Sequence, residues 1–378
     1  MSASAAMPDA RQAMAQTRAL AQQLAAEARR PWTLMEVCGG QTHAILRWGL
    51  DQLLPPSLRL IHGPGCPVCV TPAASIDLAL QLARRPEVIL CSYGDMLRVP
   101  GSDPGGDLLA VRAAGGDVRL LTSPLQALEL ARAEPQRQVV FLAVGFETTA
   151  PATALLARQA LALGLANLSL LVAHVRVVPA MEAILADPAN QVQAFLAAGH
   201  VGAVMGLAEL RQLVNRHRLP VVVTGFEPQE LMAGVLAGVR QLEQGRAELE
   251  NAYGQVVRPD GNGAAQALIE AVFEPVDQPW RGLGVLPGGG LALRGPYRGL
   301  DARQRFAANG AAPLAPERLP EPEQGPCISG RILRGLALPP DCPAFGRTCT
   351  PLHPLGAPMV SSEGACAAYH RYRAAEVA

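Results

Sequence analysis

The sequence of 378 residues predicts an α/β protein in which two parallel-sheet α/β domains face a cleft. Between Trp32 and about Leu242, short apolar strands alternate with helices, a pattern typical of parallel sheets covered on both faces. From about Gly245, glycine and proline become frequent and the apolar periodicity fades. That part of the chain is therefore predicted to be loop-rich.

These changes along the chain predict four segments. Residues 1–31, rich in alanine, glutamine and arginine, form an amino-terminal helix that is expected to pack on the C-terminal domain. Residues 32–135 form the first α/β domain and residues 136–245 the second. Residues 246–378 form the loop-rich C-terminal domain.

In the first α/β domain, buried apolar runs predict strands, and the helices follow from their periodicity and from capping residues. The predicted strands are 32–37, 58–61, 88–90 and 118–121. The predicted helices are 42–50, capped by Thr42, a helix that starts at Pro72 after a Thr71 cap, 107–114 and 124–134.

The second α/β domain repeats the alternation. Its predicted strands are 139–144, 168–173, 201–205 and 221–224. Its helices are predicted to end near Leu163 and Leu242.

Composition excludes several classes of function. Hydrophobic residues make up 49% and charged residues 17%, and 32 basic residues balance 32 acidic ones, so no nucleic-acid partner is expected. The sequence contains no lysine, which excludes Schiff-base and phosphate-loop lysine chemistry. No apolar run is as long as a membrane span, so we expect a cytoplasmic protein without a membrane partner. Eight cysteines in such a protein indicate metal or redox chemistry.

Residues 61–72 place Cys66 and Cys69 between the carboxyl end of a strand and the amino end of a helix. The partial positive charge at that helix end favours a thiolate, most directly at Cys69. Two such thiols can form a disulfide, hold a soft metal, or do both. The alternative is half of a structural zinc site, since C-x-x-C occurs in many zinc folds.

Several polar side chains follow predicted strands at their carboxyl ends. In open parallel sheets, ligands bind in the crevice beyond these ends. If the two sheets face each other, the side chains line one cleft. They are Cys38, Cys66, Cys69, Asp95, Glu147 and Glu227.

Cys38 precedes two glycines, which allow a ligand to approach the backbone and leave amide N–H groups available to it. His43 could act as acid, base or hydrogen-bond partner. The alternative is a buried structural cysteine with a histidine that satisfies a local carbonyl. Glu147 could accept a hydrogen bond or a proton, or cap the next helix. Core positions are predicted for Cys91, His62 and His174.

Four further cysteines lie in the loop-rich part, separated by intervals of 15, 7 and 17 residues. This spacing matches neither paired zinc knuckles nor a ferredoxin run. Four thiolates are nonetheless a complete ligand set for a [4Fe–4S] cluster or for a zinc ion, and the spacing does not choose between them. They are Cys327, Cys342, Cys349 and Cys366.

Seven motifs occur in order along the chain: CGGQTH at 38–43, GPGCPVC at 63–69, YGDMLRVPG at 93–101, GFETT at 145–149, DCPAFG at 341–346, CTP at 349–351 and MVSSEGAC at 359–366. Together they resemble the [NiFe]-hydrogenase maturation factor HypD family, over nearly the whole chain beyond the first helix. One departure is that many members have another cysteine where this chain has Ala357 and Pro358. Four candidate cluster ligands remain.

The resemblance implies a redox-active assembly scaffold rather than an ordinary turnover enzyme. With the small chaperone HypC, it would assemble and carry the Fe(CN)2CO unit of the [NiFe]-hydrogenase active site. Cyanide would come from HypE, with HypF upstream. The chain would be a monomer within a heteromeric complex.

Carried over by motif, the resemblance makes Cys38 the thiolate on the iron, shared with a cysteine of HypC. Cys66 and Cys69 would be a redox-active pair. A [4Fe–4S] cluster that exchanges electrons with this pair would be held by the four late cysteines, Cys327, Cys342, Cys349 and Cys366. Low-spin iron that bears cyanide and CO prefers soft thiolate donors, which agrees with these assignments.

Two other functions compete with this interpretation. An iron–sulfur thiol–disulfide oxidoreductase acting on a protein substrate needs Cys66 and Cys69 but has no use for Cys38. A zinc-stabilised binding protein needs only the four late cysteines.

Overall fold

The computed structural model describes residues 10–102, 106–308 and 325–373, so the first nine residues of the predicted amino-terminal segment lie outside it. The strands are β1 (Trp32–Glu36), β2 (Leu58–His62), β3 (Val88–Ser92), β4 (Asp117–Leu120), β5 (Gln138–Gly145), β6 (Leu168–His174), β7 (Ala194–Ala198), β8 (Val221–Thr224), β9 (Leu249–Asn251), β10 (Phe273–Trp280) and β11 (Gly284–Leu293).

The α-helices are α1 (Ala10–Glu27), α2 (Gly39–Trp48), α3 (Pro67–Val70), α4 (Ala73–Ala83), α5 (Leu108–Ala113), α6 (Gln126–Ala133), α7 (Ala150–Ala162), α8 (Val177–Ala186), α9 (Gly199–Met205), α10 (Ala208–His217), α11 (Pro228–Glu243), α12 (Gly263–Val272), α13 (Ala302–Ala308), α14 (Ser329–Leu333) and α15 (Ala365–Arg373). Short 3-10 helices cover Leu50–Leu53, Gly94–Arg98, Gly295–Leu300, Pro339–Asp341 and Ala357–Met359.

Two parallel sheets confirm the predicted α/β class. The first has the strand order β2-β1-β7-β8-β9 and the second the order β4-β3-β5-β6. Successive side chains of a strand point to opposite faces of the sheet, and in the second sheet both sets are buried, so both faces are covered. Val140 and Leu142 of β5 pack into one core, and Val139 and Phe141 pack into another.

The strands are not grouped as predicted. The first sheet combines β1 and β2 with β7, β8 and β9, and the whole second sheet is inserted between β2 and β7. The predicted boundary between residues 135 and 136 separates β4 from β5, which lie in the same sheet. Apolar patterning identifies strands, but their partners are decided by long-range packing that a single sequence does not display.

Two predicted elements differ locally. Residues 201–205, predicted as a strand, belong to α9, and the strand is β7. This stretch is apolar throughout, so its pattern cannot distinguish strand from helix. Thr42 does not cap a helix, since α2 already begins at Gly39 and the Thr42 hydroxyl donates to the Glu36 carboxylate instead.

Contrary to the prediction, the described part of the amino-terminal helix packs mainly on the first sheet's side of the molecule and not on the described part of the C-terminal domain. Helix α1 packs against α11, and Leu24 is fully buried in a core that includes Leu231 and Val235. The Arg240 guanidinium of α11 also donates to both carboxylate oxygens of Glu27, at 2.7 Å each. The apolar stripe of α1 therefore covers the first sheet.

The described chain beyond residue 245 contains strands that the sequence did not predict, namely β9, which joins the first sheet, and the β10–β11 hairpin. Strands β10 and β11 form an antiparallel hairpin, although prolines interrupt both strands and glycines interrupt β11. Trp280, at the end of β10, is fully buried, and its ring lies 6.0 Å from that of Phe146. Residues 325–373 are loop-rich as predicted, with only short helices.

None of the helices described here is both long and apolar enough to cross a lipid bilayer.

Candidate functional site

The loops after β1 and β2 are in direct contact at the carboxyl edge of the first sheet. The Gly39 N–H donates to the Gly65 carbonyl at 2.9 Å, and the Gly63 N–H donates to the Glu36 carbonyl at 2.8 Å. A Cβ atom at position 65 would lie only 2.2 Å from the backbone nitrogen of Cys38, so only glycine fits there. The structure thus brings Cys38 and the Cys66–Cys69 loop together.

The thiol of Cys38 faces a histidine that the sequence analysis did not single out. Its Sγ lies 3.8 Å from Nε2 and 4.0 Å from Nδ1 of His200, and the His200 ring stacks on Phe226 with centroids 5.0 Å apart. His200 is the second residue of α9, which follows directly on β7. The sequence predicts the strand at residues 201–205, so His200 would precede a strand. Because the strand is β7, His200 instead lies just beyond its carboxyl end, where ligands are expected.

Burial controls the charge of both groups. Cys38 is 3% exposed, and burial raises the pKa of its thiol well above the ordinary value, with the nearby carboxylates of Glu36 and Glu363 adding to the increase. Burial also lowers the pKa of His200, which keeps its imidazole neutral. A thiolate at Cys38 consequently requires a compensating cation, and a bound metal ion would supply one.

The Cys38 loop rests on a buried carboxylate. Glu36 accepts hydrogen bonds from the Cys38 N–H at 2.9 Å, from His62 Nδ1 at 2.7 Å and from the Thr42 hydroxyl. His62 Nε2 lies 3.3 Å from the hydroxyl of Tyr369 in α15. His62 is therefore a core histidine, as predicted, and it connects the Cys38 loop to the C-terminal helix.

Cys66 and Cys69 form a disulfide across the start of α3. Both residues are buried, and the Cys69 N–H donates to the Cys66 sulfur at 3.1 Å. Helix α3 packs against the 3-10 helix Ala357–Met359.

The four late cysteines line a single cavity, although they are far apart in sequence. The other lining side chains are mainly apolar, and they include Pro358 and Met359 of the 3-10 helix that contacts α3. One short element therefore separates the disulfide helix from this cavity. The cysteines are Cys327, Cys342, Cys349 and Cys366.

The donor set of the cavity has the chemistry of an iron–sulfur site. A Cβ at Gly356 would lie 2.9 Å from Cys327 Sγ, so the missing side chain leaves space beside this sulfur. The Leu355 N–H donates to Cys349 Sγ at 3.3 Å, a contact of the kind that stabilises cluster sulfurs. In the described ranges, no three His, Cys, Asp or Glu side chains are grouped to hold a single metal ion. Four thiols at one cavity are a complete ligand set for a [4Fe–4S] cluster or for a zinc ion.

His43 does not face Cys38 Sγ. Its Nδ1 lies 3.3 Å from the Ser362 carbonyl and its Nε2 lies 3.1 Å from the Tyr372 hydroxyl. The ring thus satisfies a carbonyl and joins α2 to the C-terminal region, which agrees with the structural alternative stated for it.

Glu147 follows β5 of the second sheet and is 3% exposed. Its Oε1 accepts from the Val177 N–H at 3.0 Å, so it caps α8 rather than the next helix, α7. Its Oε2 is buried without a hydrogen-bond partner among the described residues. Burial raises the pKa of Glu147 to about 7, and the charge of Glu209 adds to this while Arg176 opposes it.

The carboxyl ends of the two sheets meet at a small cavity. Glu147 lines this cavity together with Val37, which precedes Cys38, and with Ala197 and Ala198 at the end of β7. The two sheets therefore face each other as predicted.

The other predicted rim and core residues have separate surroundings. Asp95 lies in the 3-10 helix Gly94–Arg98. Burial raises the pKa of Glu363, and the negative charge of Asp95 adds to the increase. Glu227 precedes α11. Cys91 is buried in the core of the second sheet, where burial raises its pKa to about 12. His174 is also a core residue, with Nε2 2.9 Å from the Thr153 hydroxyl.

Comparison with known proteins gives one consistent result. A family model described as "HypD: Hydrogenase formation hypA family" matches residues 13–373. The chain is 46% identical to the hydrogenase maturation factor HypD of Rhodobacter capsulatus, covering 97% of this chain and 96% of that protein. It is 49% identical to the hydrogenase expression/formation protein HupD of Azotobacter chroococcum mcd 1, covering 95% and 94%. It is 44% identical to HypD of Escherichia coli (strain K12), covering 94% and 93%.

Proposed function

The chain belongs to the HypD family of hydrogenase maturation factors, and from this membership we propose that it is the scaffold that assembles and carries the Fe(CN)2CO unit. The observation that carries the proposal is the contact between the buried Cys38 thiol, His200 and the Cys66–Cys69 loop. A carrier needs a soft donor for iron, a dry pocket and a redox group nearby, and these features are found at one sheet edge.

Cys38 is the proposed ligand for the iron of the cargo. Its thiol is buried, so loss of the proton is favourable only when a cation such as iron takes its place. Neutral His200 lies within reach of the sulfur and offers a hydrogen-bonding nitrogen to it or to a bound cyanide. The two glycines after Cys38 let Glu363 and Phe226 pack closely against this loop, and a cysteine of the small chaperone HypC would supply a second thiolate.

Cys66 and Cys69 are the proposed redox pair. Two electrons and two protons convert their disulfide to two thiols, and the reverse reaction returns the same electrons and protons. Both sulfurs lie in the core that contains Cys38, so this change occurs beside the proposed iron position.

A [4Fe–4S] cluster would be held by Cys327, Cys342, Cys349 and Cys366. When bound, it would supply or accept single electrons. The residues of this chain contribute a mainly apolar cavity, a backbone N–H directed at Cys349 and the packing of Pro358 and Met359 between the cavity and α3.

The proposal includes the partners and the compartment. HypC would share the iron, and HypE, with HypF upstream, would supply the cyanide. Assembly would take place in the cytoplasm, with the chain as a monomer within the heteromeric complex. The iron unit leaves with the product, so the chain is a carrier rather than an ordinary turnover enzyme.

The test is Cys38→Ala in the complex purified anaerobically with HypC. We expect the infrared bands of iron-bound cyanide and CO to disappear while the visible absorbance of the cluster stays unchanged, because the two sites share no ligand. Cys91→Ala is the matched control: it removes an equally buried thiol from the core of the second sheet and should retain all bands.

Persistence of the cyanide and CO bands in Cys38→Ala would overturn the proposal. The oxidoreductase alternative predicts that Cys66→Ala abolishes disulfide exchange with a protein substrate, whereas Cys38→Ala does not. Zinc in place of iron and sulfide in the purified protein would overturn the cluster assignment.

A further inference from the structure

The motif YGDMLRVPG at 93–101 has no role in the function proposed above, although it packs beside both proposed redox groups. Leu97 is buried in a core that also contains Ala357 and Val360, which belong to the segment between the last two cavity cysteines. One face of the motif therefore packs against the segment that forms a wall of the cysteine cavity.

Arg98 of this motif holds the wall segment at two points. Its Nη2 donates to the Val360 carbonyl at 2.8 Å, and its Nη1 donates to the Pro351 carbonyl at 3.5 Å. Val360 directly follows Met359, which lines the cavity, and Pro351 comes two residues after Cys349. The guanidinium therefore lies next to the backbone of the cavity wall on both sides.

The other end of the motif contacts the disulfide helix through Arg281. The Pro100 carbonyl accepts from Arg281 Nη2 at 3.3 Å. Arg281 also donates through Nε to the Thr71 carbonyl at 2.9 Å and through its backbone N–H to the carbonyl of Val70, the last residue of α3, at 2.8 Å. The backbone of the motif is thus held on the disulfide side as well as on the cavity side.

The charge of Arg98 is not balanced by a carboxylate. In the part of the chain that the structure describes, Arg98 forms no ion pair, and the charge of Asp95 on the same 3-10 helix acts on Glu363 instead. A guanidinium stays protonated, and a partly buried charge is costly without an opposite charge nearby. Four cluster-bound thiolates would supply one, because their negative charge exceeds the positive charge of the iron–sulfide core.

We propose that Arg98 is the charge partner of the cluster and that it raises the reduction potential of the cluster by stabilising the reduced form. The inference rests on the proposed [4Fe–4S] cluster. One electron from a one-electron reductant adds one negative charge, with no proton taken up and no bond formed or broken. A fixed positive charge beside the cavity therefore favours the reduced state over the oxidised state.

The test compares Arg98→Gln and Arg98→Lys in the full chain, purified anaerobically and titrated with dithionite while the electron paramagnetic resonance signal of the reduced cluster is recorded. Gln keeps an N–H donor for a carbonyl but removes the charge. We expect the ratio of reduced to oxidised cluster at a fixed potential to fall on the order of tenfold, which is about 59 mV for a one-electron couple. Lys keeps the charge without the planar fork, so its potential should stay close to that of wild type.

Arg305→Gln is the matched control. Arg305 is also partly buried and also donates to two backbone carbonyls, those of Leu168 and Gly299. Leu168 is the first residue of β6, at the amino end of the second sheet, so this charge lies away from the carboxyl edge. Arg305→Gln should leave the potential of the cluster unchanged.

Equal potentials in wild type and Arg98→Gln would overturn the inference, and so would a shift in Arg98→Lys as large as that in Arg98→Gln. Partial loading does not disturb the comparison, because the signal comes only from molecules that hold a cluster. If Arg98→Gln holds no cluster while Arg98→Lys does, the charge is required and the inference stands. If both lose it, the hydrogen bonds of the fork are what the cavity needs, and the inference fails.

Iron and sulfide analysis of the wild-type chain separates this inference from the proposed function. A wild-type chain without a cluster would remove both the cluster assignment and the role of Arg98. A fully loaded chain whose potential does not depend on Arg98 would remove only the latter. Neither result affects Cys38, whose role is tested by the infrared bands of iron-bound cyanide and CO.

Discussion

Two buried titratable residues near the carboxyl ends of β5 and β6 have pKa values that shift in opposite directions. Burial raises the pKa of Glu147 from 4.5 to about 7 and lowers that of His174 from 6.5 to about 4. Stability from Glu147 is complete below about pH 4.5, where both states are protonated, and is lost as pH rises to about 7. Stability from His174 is complete above about pH 6.5 and is lost as pH falls to about 4. The two contributions oppose each other across the same range.

Glu147→Gln should therefore change the pH dependence of stability. The variant lacks the group whose folded-state pKa is raised, so its free energy of unfolding should rise relative to wild type by on the order of 3 kcal/mol between pH about 4.5 and about 7. Urea unfolding across this range measures the difference. Glu182→Gln, at an exposed ion pair with Arg216, should run parallel to wild type. If both variants gave pH profiles parallel to that of wild type, the pKa of Glu147 would not be raised in the folded state.

At the scale of residues, the sequence located the sulfur atoms but not all of their neighbours. Cys38, Cys66 and Cys69 follow strands that are adjacent in the first sheet, so the placement of side chains at strand ends was sufficient to bring them together. His200 was missed because its strand was assigned a few residues too late. The unpaired oxygen of Glu147 could not be predicted, since it depends on which helices close the cavity.

At the scale of elements, the loops at the sheet edge are held by glycines that have no space for a side chain. Gly65 packs against the backbone of Cys38, where a Cβ would lie 2.4 Å from Cα, and Gly63 packs against Glu36 and Val37. Backbone atoms cannot rotate away from such a contact as the end of a flexible side chain can. The position of Cys38 thus depends on the loop that carries the disulfide.

Gly65→Ala should push these two loops apart. Overpacking of this kind costs about 1–3 kcal/mol in the free energy of unfolding, and it should also make the Cys38 thiol more reactive towards an alkylating reagent. Urea unfolding and the alkylation rate measure the two effects. Gly299→Ala is the control, since a Cβ there meets nothing within 4 Å and should change stability by less than about 0.5 kcal/mol. Equal stability and reactivity in the two variants would contradict the close contact.

The elements that the sequence failed to predict are those whose stability comes from distant contacts. Hairpin β10–β11 forms despite its prolines and glycines because Trp280 and Leu286 are buried in the main core. Helix α1 was correctly predicted as a helix, but its partner α11 lies more than 200 residues away, as the contact between Glu27 and Arg240 shows. Local propensity fixes the element, and tertiary packing fixes its position.

At the scale of the whole molecule, the C-terminal helix joins the two proposed metal positions. Helix α15 carries Cys366. It also contacts the first sheet and its helices through three pairs: Tyr369 with His62, Tyr372 with His43, and Arg373 with Asp51. Glu363, just before α15, packs so closely on Gly39 that a Cβ atom at position 39 would lie 2.4 Å from the Cβ of Glu363. The chain thus returns at its end to the motif near its beginning, which no local pattern could predict.

Because α15 contacts the first sheet and also carries Cys366, we expect the first sheet to help retain the cluster. Arg373, only 10% exposed, forms an ion pair with Asp51, and Arg373→Met should cost about 1–3 kcal/mol by leaving that carboxylate unpaired. Because the loosened helix carries Cys366, a chelator should remove cluster iron faster from this variant than from wild type. Arg371→Met, at an exposed position of the same helix that stacks on Tyr372, is the matched control and should lose iron at the wild-type rate. If Arg373→Met retains iron as long as the control, the ligand set is held by the C-terminal region alone, and the contacts of α15 with the first sheet serve only to orient the two parts.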